Sequence, residues 1–211
     1  ISTGAESNLM YHRWVRRQRA LVEELSDGKL GYVHVRGMNA ASMKDVIDAA
    51  LGRHIGADGL VVDTRFNGGG NLHDRLSDFL NGKAYLDIIP HGQYIGSQPM
   101  NRWNKPSIVL VGESNYSDAH LFPEAYRIKG VGKSVGMPVP GTGTFVWWET
   151  QIDPTIYFGI PMGGWRRADG KFLENTQFEP EVKVQNMPAD ITTGKDAQTQ
   201  RAVSELLKET K

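Results

Sequence analysis

Two short turns carry the residue types that acyl-transfer chemistry needs. The first is Asn67-Gly68-Gly69-Gly70, at the end of the apolar run Gly59–Phe66. Consecutive glycines let backbone N–H groups turn outward and let another group approach closely. Ahead of a helix, such N–H groups form a local positive site for an anion or a developing oxyanion. No Lys-Ser or Lys-Thr follows, so the turn lacks the signature of a phosphate loop. A plain turn is the simpler alternative. The second turn is Ser117-Asp118, between the apolar run Ser107–Val111 and a helical segment. A serine there projects its hydroxyl while the next N–H points to the same side, which suits a nucleophile with its own oxyanion donor. Both residues are also favoured helix caps, and the Gly-x-Ser-x-Gly elbow is missing.

These turns need a scaffold, and the hydrophobic pattern supplies one. A small polar lead-in, residues 1–8, precedes a helix expected over Leu9–Leu25, which stops at Ser26-Asp27-Gly28. A strand follows over Leu30–Arg36, then a helix capped by Ser42. Gly59–Phe66 reads as a strand covered on both faces. A helix over Leu72–Leu80, a long polar connection, the buried strand Ser107–Val111 and a helix reaching Lys129 complete three strand-turn-helix units. That pattern predicts an α/β layered core. Beyond Gly130 short β runs are expected at Lys133–Gly136, Thr144–Glu149, Thr155–Ile160 and Glu181–Val184, and a last helix at Asp196–Lys208. In an open α/β sheet, ligands gather at the carboxyl ends of strands, where both turns fall. No repeat or linker interrupts the pattern, so residues 9–211 read as one domain.

Composition narrows the chemistry. The chain has 211 residues, 24 Lys and Arg against 24 Asp and Glu, and no cysteine. A balanced charge argues against nucleic acid as the main partner. Helical spacing scatters the one basic cluster, Arg13–Arg19, around its axis. The missing cysteines exclude disulfides, Cys-ligated metals and a thiol nucleophile. No metal spacing such as His-Glu-x-x-His occurs, and no cofactor is expected. No apolar stretch is long enough for a membrane span. The first residue is Ile1 and no signal peptide precedes it, so the chain is expected to be a trimmed piece of a longer protein.

Taken together the motifs carry a resemblance. Val61-Val62-Asp63-Thr64-Arg65-Phe66-Asn67-Gly68-Gly69-Gly70 resembles the Asp-x-Arg-x-Asn-x-Gly-Gly strand of the tail-specific and tricorn serine peptidases. Ser117, the turn Gly130–Gly136, the segment Glu174–Val182 and Gly194-Lys195-Asp196-Ala197-Gln198 follow in the family's order and spacing. Tyr11–Val15 ahead of Gly31–Val35 resembles the tricorn lead into the core, and that branch fits best. The resemblance implies a crotonase/ClpP-like spiral α/β core with a small added β region. Ser117 would be the nucleophile and the N–H groups of Gly70 and Asp118 the oxyanion hole. Glu174 would help orient the general base, and Asp87, with Gly68 and Gly69, would lie on the substrate side. A peptide or unfolded polypeptide would be the substrate. Homo-oligomerisation is also implied. A cytoplasmic setting is favoured, with export the alternative.

The base is the missing part. The tail-specific branch pairs its serine with a lysine roughly two dozen residues downstream, where this chain has Gly141-Thr142-Gly143-Thr144. The tricorn branch uses a histidine upstream of a PDZ-like module. His12, His34, His54, His73, His91 and His120 do not match that position. The resemblance therefore implies a base from upstream domains, and a fragment nearly inactive alone. Tyr116 and Gln177 replace small residues of the family pattern, which motivates a second reading as a non-catalytic peptide-binding or assembly domain. A crotonase-type acyl-CoA enzyme, sharing the oxyanion geometry, is the third.

Overall fold

The computed structural model describes residues 2–210. A five-stranded, all-parallel sheet forms its centre. The strands are β1 (Leu30–His34), β2 (Gly59–Asp63), β5 (Ser107–Val111), β6 (Ser134–Gly136) and β9 (Val182–Lys183), and they lie in that order. Between β2 and β5 runs a short antiparallel pair, β3 (Leu86–Ile88) with β4 (Gly96–Gln98). A separate hairpin joins β7 (Thr144–Thr150) to β8 (Tyr157–Gly164). The helices are α1 (Thr3–Leu25), α2 (Ala40–Asp48), α3 (His73–Asn81), α4 (Asp118–Ile128), α5 (Pro188–Thr192) and α6 (Ala197–Leu206). No helix among the described residues is long and apolar enough to cross a membrane.

Strand periodicity sorts the core into two layers. Successive side chains of a strand point to opposite faces. Val33, Leu60, Val62, Val109 and Val111 face one side, where they pack with Met43 and Val46 of α2, Leu76 and Phe79 of α3, and Phe122 and Tyr126 of α4. Tyr32, Val61, Ile108, Leu110 and Val135 face the other side, against Val22 of α1 and Ala202, Val203 and Leu206 of α6. Both faces are covered, which is why the middles of β2, Leu60–Val62, and β5, Ile108–Val111, are apolar on both faces.

Several boundaries differ from expectation. The lead-in expected over residues 1–8 is helical from Thr3, because the Ser2 hydroxyl caps the helix by accepting from the Ala5 N–H at 3.3 Å; Ile1 lies outside the described residues. Asn39, not Ser42, caps α2: its side chain accepts from the Ser42 N–H at 3.0 Å. The strand expected over Gly59–Phe66 ends at Asp63, and Phe66 takes a left-handed φ of 66°. Two of the short β runs beyond Gly130, β6 and β9, extend the main sheet, so only β7–β8 stands apart from it.

Candidate active site

The carboxyl ends of β1, β2 and β5 deliver three loops to one place. The glycine loop after β2 is anchored on both sides. Asn67 donates from Nδ2 to the Val35 carbonyl at 2.8 Å, and its Oδ1 accepts from the Gly69 N–H at 2.9 Å. Met38 donates its N–H to the Gly69 carbonyl at 2.9 Å, and its own carbonyl accepts from the Asn71 N–H at 2.7 Å. Gly70, at φ 141°, runs so close to the Met38 carbonyl that no side chain fits.

The serine turn, Tyr116–Asp118, comes to the same point. The Asn67 carbonyl accepts from the Tyr116 N–H at 3.0 Å. A Cβ on Gly69 would sit 2.7 Å from the Ser117 Cβ, so only glycine lets the two turns meet. Ser117 has φ 53° and ψ −119°, a conformation L-residues rarely hold. It stands at the head of α4, yet its side chain makes no capping bond. The serine thus occupies the cap position expected of it, but its hydroxyl makes no capping hydrogen bond. Tyr116 is exposed, so its ring does not crowd the turn. Among the described residues, neither the Gly70 N–H nor the Asp118 N–H has an acceptor. Both free N–H groups belong to the two turns that meet where Gly69 touches Ser117.

The structure assembles Gly69, Gly70, Ser117 and Asp118, and adds Thr142. The Thr142 Oγ1 accepts from the Ser117 N–H at 2.9 Å. Thr142 occupies the stretch where one branch of the resembling peptidases carries its lysine. That spacing pointed to the position, although not to a threonine's role there. Glu174 arrives beside this group through its neighbour: the Asn175 N–H donates to the Gly141 carbonyl at 2.7 Å. The Glu174 carboxylate itself is exposed and makes no hydrogen bond or ion pair among the described residues. Gly68 is exposed, with open space where a side chain would be. Asp87 is exposed on β3, opposite Ser97, and the structure brings it into no bond with the serine turn.

No described side chain bonds the Ser117 hydroxyl. His34 is buried, with its ring nitrogens on the Tyr11 hydroxyl and the Arg65 carbonyl, both at 2.9 Å. His120 is fully buried, and neither of its ring nitrogens has a partner. Burial lowers its pKa from the ordinary histidine value, against the pull of Glu124. His73 is bound to Asp118, whose carboxylate also accepts from the Leu72 and His73 N–H groups. Burial opposes the Asp118 charge. The His73 ring and the two N–H donors outweigh it and hold the carboxyl below the usual aspartate value.

A buried ion network fixes the end of β2. The Arg65 guanidinium meets Asp63 at 2.6 Å and Asp196 at 2.9 Å, and also donates to Gln198 and Thr199. The Tyr32 hydroxyl donates to Asp63 at 2.9 Å. Burial opposes the Arg65 charge too, but the two carboxylates win and raise its pKa above the ordinary arginine value.

Residues 29–184 match the profile of peptidase family S41, and the chain belongs to that family. It is 30% identical over 202 residues to tricorn protease homolog 1 of Streptomyces coelicolor, covering 94% of this chain and 19% of that protein. It is 28% identical to the tricorn protease of Thermoplasma acidophilum, covering 95% of this chain and 19% of that one. The crystal structure of the tricorn protease superposes with a TM-score of 0.82 at 26% identity, over 95% of this chain and 20% of that one. The chain thus spans about a fifth of the length of these relatives.

Proposed function

We propose that the chain is the nucleophile-bearing core of a serine endopeptidase, with a crotonase-like spiral arrangement of its strand-turn-helix units. The observation that carries this reading is the strained Ser117, bonded to Thr142 through its N–H and flanked by the unbonded Gly70 and Asp118 N–H groups. Membership of peptidase family S41 supports it.

The steps follow from those positions. The Ser117 Oγ attacks a substrate peptide carbonyl and forms a C–O bond, while its proton passes to a base. The carbonyl oxygen becomes an anion and accepts from the Gly70 and Asp118 N–H groups. The base returns the proton to the leaving amine as the C–N bond breaks. The acyl-serine ester is then cleaved by water through the same hole. No described histidine reaches Ser117, so we assign the base to a histidine of an upstream, PDZ-linked segment of the parent protein. Glu174, exposed beside the Gly141–Thr142 loop, would receive and orient it. Asp87 is the proposed acceptor for a basic substrate side chain.

The test is hydrolysis of fluorogenic peptides by the protein as its gene encodes it, and by its Ser117→Ala variant. Loss of a positioned nucleophile should lower kcat by at least ~10³-fold. Cleavage that persists unchanged in the variant would sink the assignment. If a fluorophosphonate also failed to label Ser117 in the unaltered protein, a non-catalytic peptide-binding role would replace it.

A further inference from the structure

The two oxyanion donors sit on different loops, and their spacing must hold to within roughly 0.5 Å for the hole to work. One residue spans both loops. Asp118 supplies the second donor from its backbone, while its carboxylate reaches across to the glycine loop. Oδ2 accepts from the Leu72 N–H at 2.5 Å and the His73 N–H at 3.0 Å, two and three residues beyond Gly70. Oδ1 accepts from the His73 Nδ1 at 2.5 Å. The carboxylate is 3% exposed. Backbone donors hold one of its oxygens; among the described residues the other is bonded only by the His73 ring.

The ring is itself held from outside. It packs edge-on against Trp165, with centroids 5.4 Å apart, and Trp165 packs against Phe145 at 5.8 Å. These two aromatics lie at the root of the β7–β8 hairpin. The ring is thus fixed between the hairpin root and the oxyanion loop, and the carboxylate cannot turn without breaking the Nδ1 bond.

We propose that His73 is a positioning residue, which sets the spacing of the Gly70 and Asp118 donors by locking the Asp118 carboxylate. The inference rests on the peptidase reading. His73 does not touch the reacting atoms; its effect is on how well the hole fits the transition state. Losing one oxyanion donor outright costs ~10²–10³-fold in kcat. Loosening one should cost less, about tenfold.

The variants separate this role from a packing role. His73→Phe keeps a ring against Trp165 and removes the donor. His73→Asn loses the ring but puts an amide N–H near the Nδ1 position. Both are compared with the unaltered full-length protein by kcat, KM and thermal midpoint. The expected result is a roughly tenfold fall in kcat for His73→Phe, with KM unchanged, and recovery to within about threefold in His73→Asn. An unchanged kcat in His73→Phe, with Ser117-dependent hydrolysis intact, would overturn this inference alone. So would a fall in kcat matched by a fall in thermal midpoint and not restored by Asn. Absence of Ser117-dependent hydrolysis in the unaltered protein would overturn the peptidase reading, and the inference with it.

Discussion

At residue scale, the site depends on small groups that let two turns touch. Gly69 carries φ 98°, and an added Cβ would meet the Ser117 Cβ at 2.7 Å and the Tyr116 carbonyl at 2.8 Å. Gly69→Ala must therefore push the serine turn outward, in addition to about 1–3 kcal/mol of backbone strain. A misplacement near 1 Å costs on the order of 10²-fold in rate. The expected outcome is a kcat/KM about 10²-fold lower in a protein that still folds, read from peptide hydrolysis beside circular dichroism. Thr142 makes a second case. Thr142→Val keeps the shape but leaves the Ser117 N–H without its acceptor, a loss of about 1–3 kcal/mol. Thr142→Ser should restore stability in denaturant titrations; a valine variant as stable as the parent would show that water replaces the hydroxyl. The two turns that meet, Asn67–Gly70 and Ser117–Asp118, were legible in the sequence because glycine and serine turns after apolar strands are local signals. Thr142 and the His73–Asp118 pair were not. Those contacts join residues 25 and 45 positions apart, and only the folded sheet brings them together.

At the scale of elements, legibility followed burial. β2 and β5 stood out because helices cover both their faces, so Leu60–Val62 and Ile108–Val111 are continuous apolar runs. β3 and β4 were hidden in a polar connection, since three-residue strands with little apolar burial carry no period. α1 was expected to start late because its first turns are exposed and its cap, Ser2, is one weak signal among small polar residues. The end of β2, which aims the glycine loop, is held by the Arg65 network. Removing one member of a buried ion group leaves uncompensated charge, at about 3–5 kcal/mol. Arg65→Met should lose about that much in urea titrations, and a loss under about 1 kcal/mol would show the network to be dispensable. Acid should act on the same joints. Burial pushes Asp118 and Asp196 up, but the His73 bond and its neighbouring N–H groups in one case, and Arg65 in the other, hold both below the ordinary value of 3.8. Depressed folded pKa values contribute stability that is fully present above the unfolded value. It is lost as pH falls through the folded ones. Denaturation midpoints should stay flat above about pH 5 and fall steeply below about pH 3.8, with the Asp196→Asn variant showing a shallower acid limb.

At the scale of the whole molecule, the two packed layers do not include everything near the site. Neither core cluster contains a residue of β7 or β8. Trp147, Trp148, Tyr157 and Met162 are exposed along the hairpin, although it starts two residues after Thr142. A two-stranded hairpin without a covered face has little to stabilise it beyond its own ladder. The hairpin should therefore open separately from the core that holds Ser117. Native-state hydrogen exchange of the chain reads this directly. Amides of β2 and β5, central in the sheet, should exchange only by global unfolding, with rates that rise with low urea. Hairpin amides should exchange at least ~10²-fold faster and show little urea dependence, because local opening exposes little surface. The root at Phe145, held through Trp165 and His73 to Asp118, should fall between the two, and His73→Phe should move it toward the hairpin. Hairpin amides with the protection and urea slope of β5 would instead make the hairpin part of the global cooperative unit. The oxyanion loop would then be braced by the whole fold, with no separate role for its contact through His73.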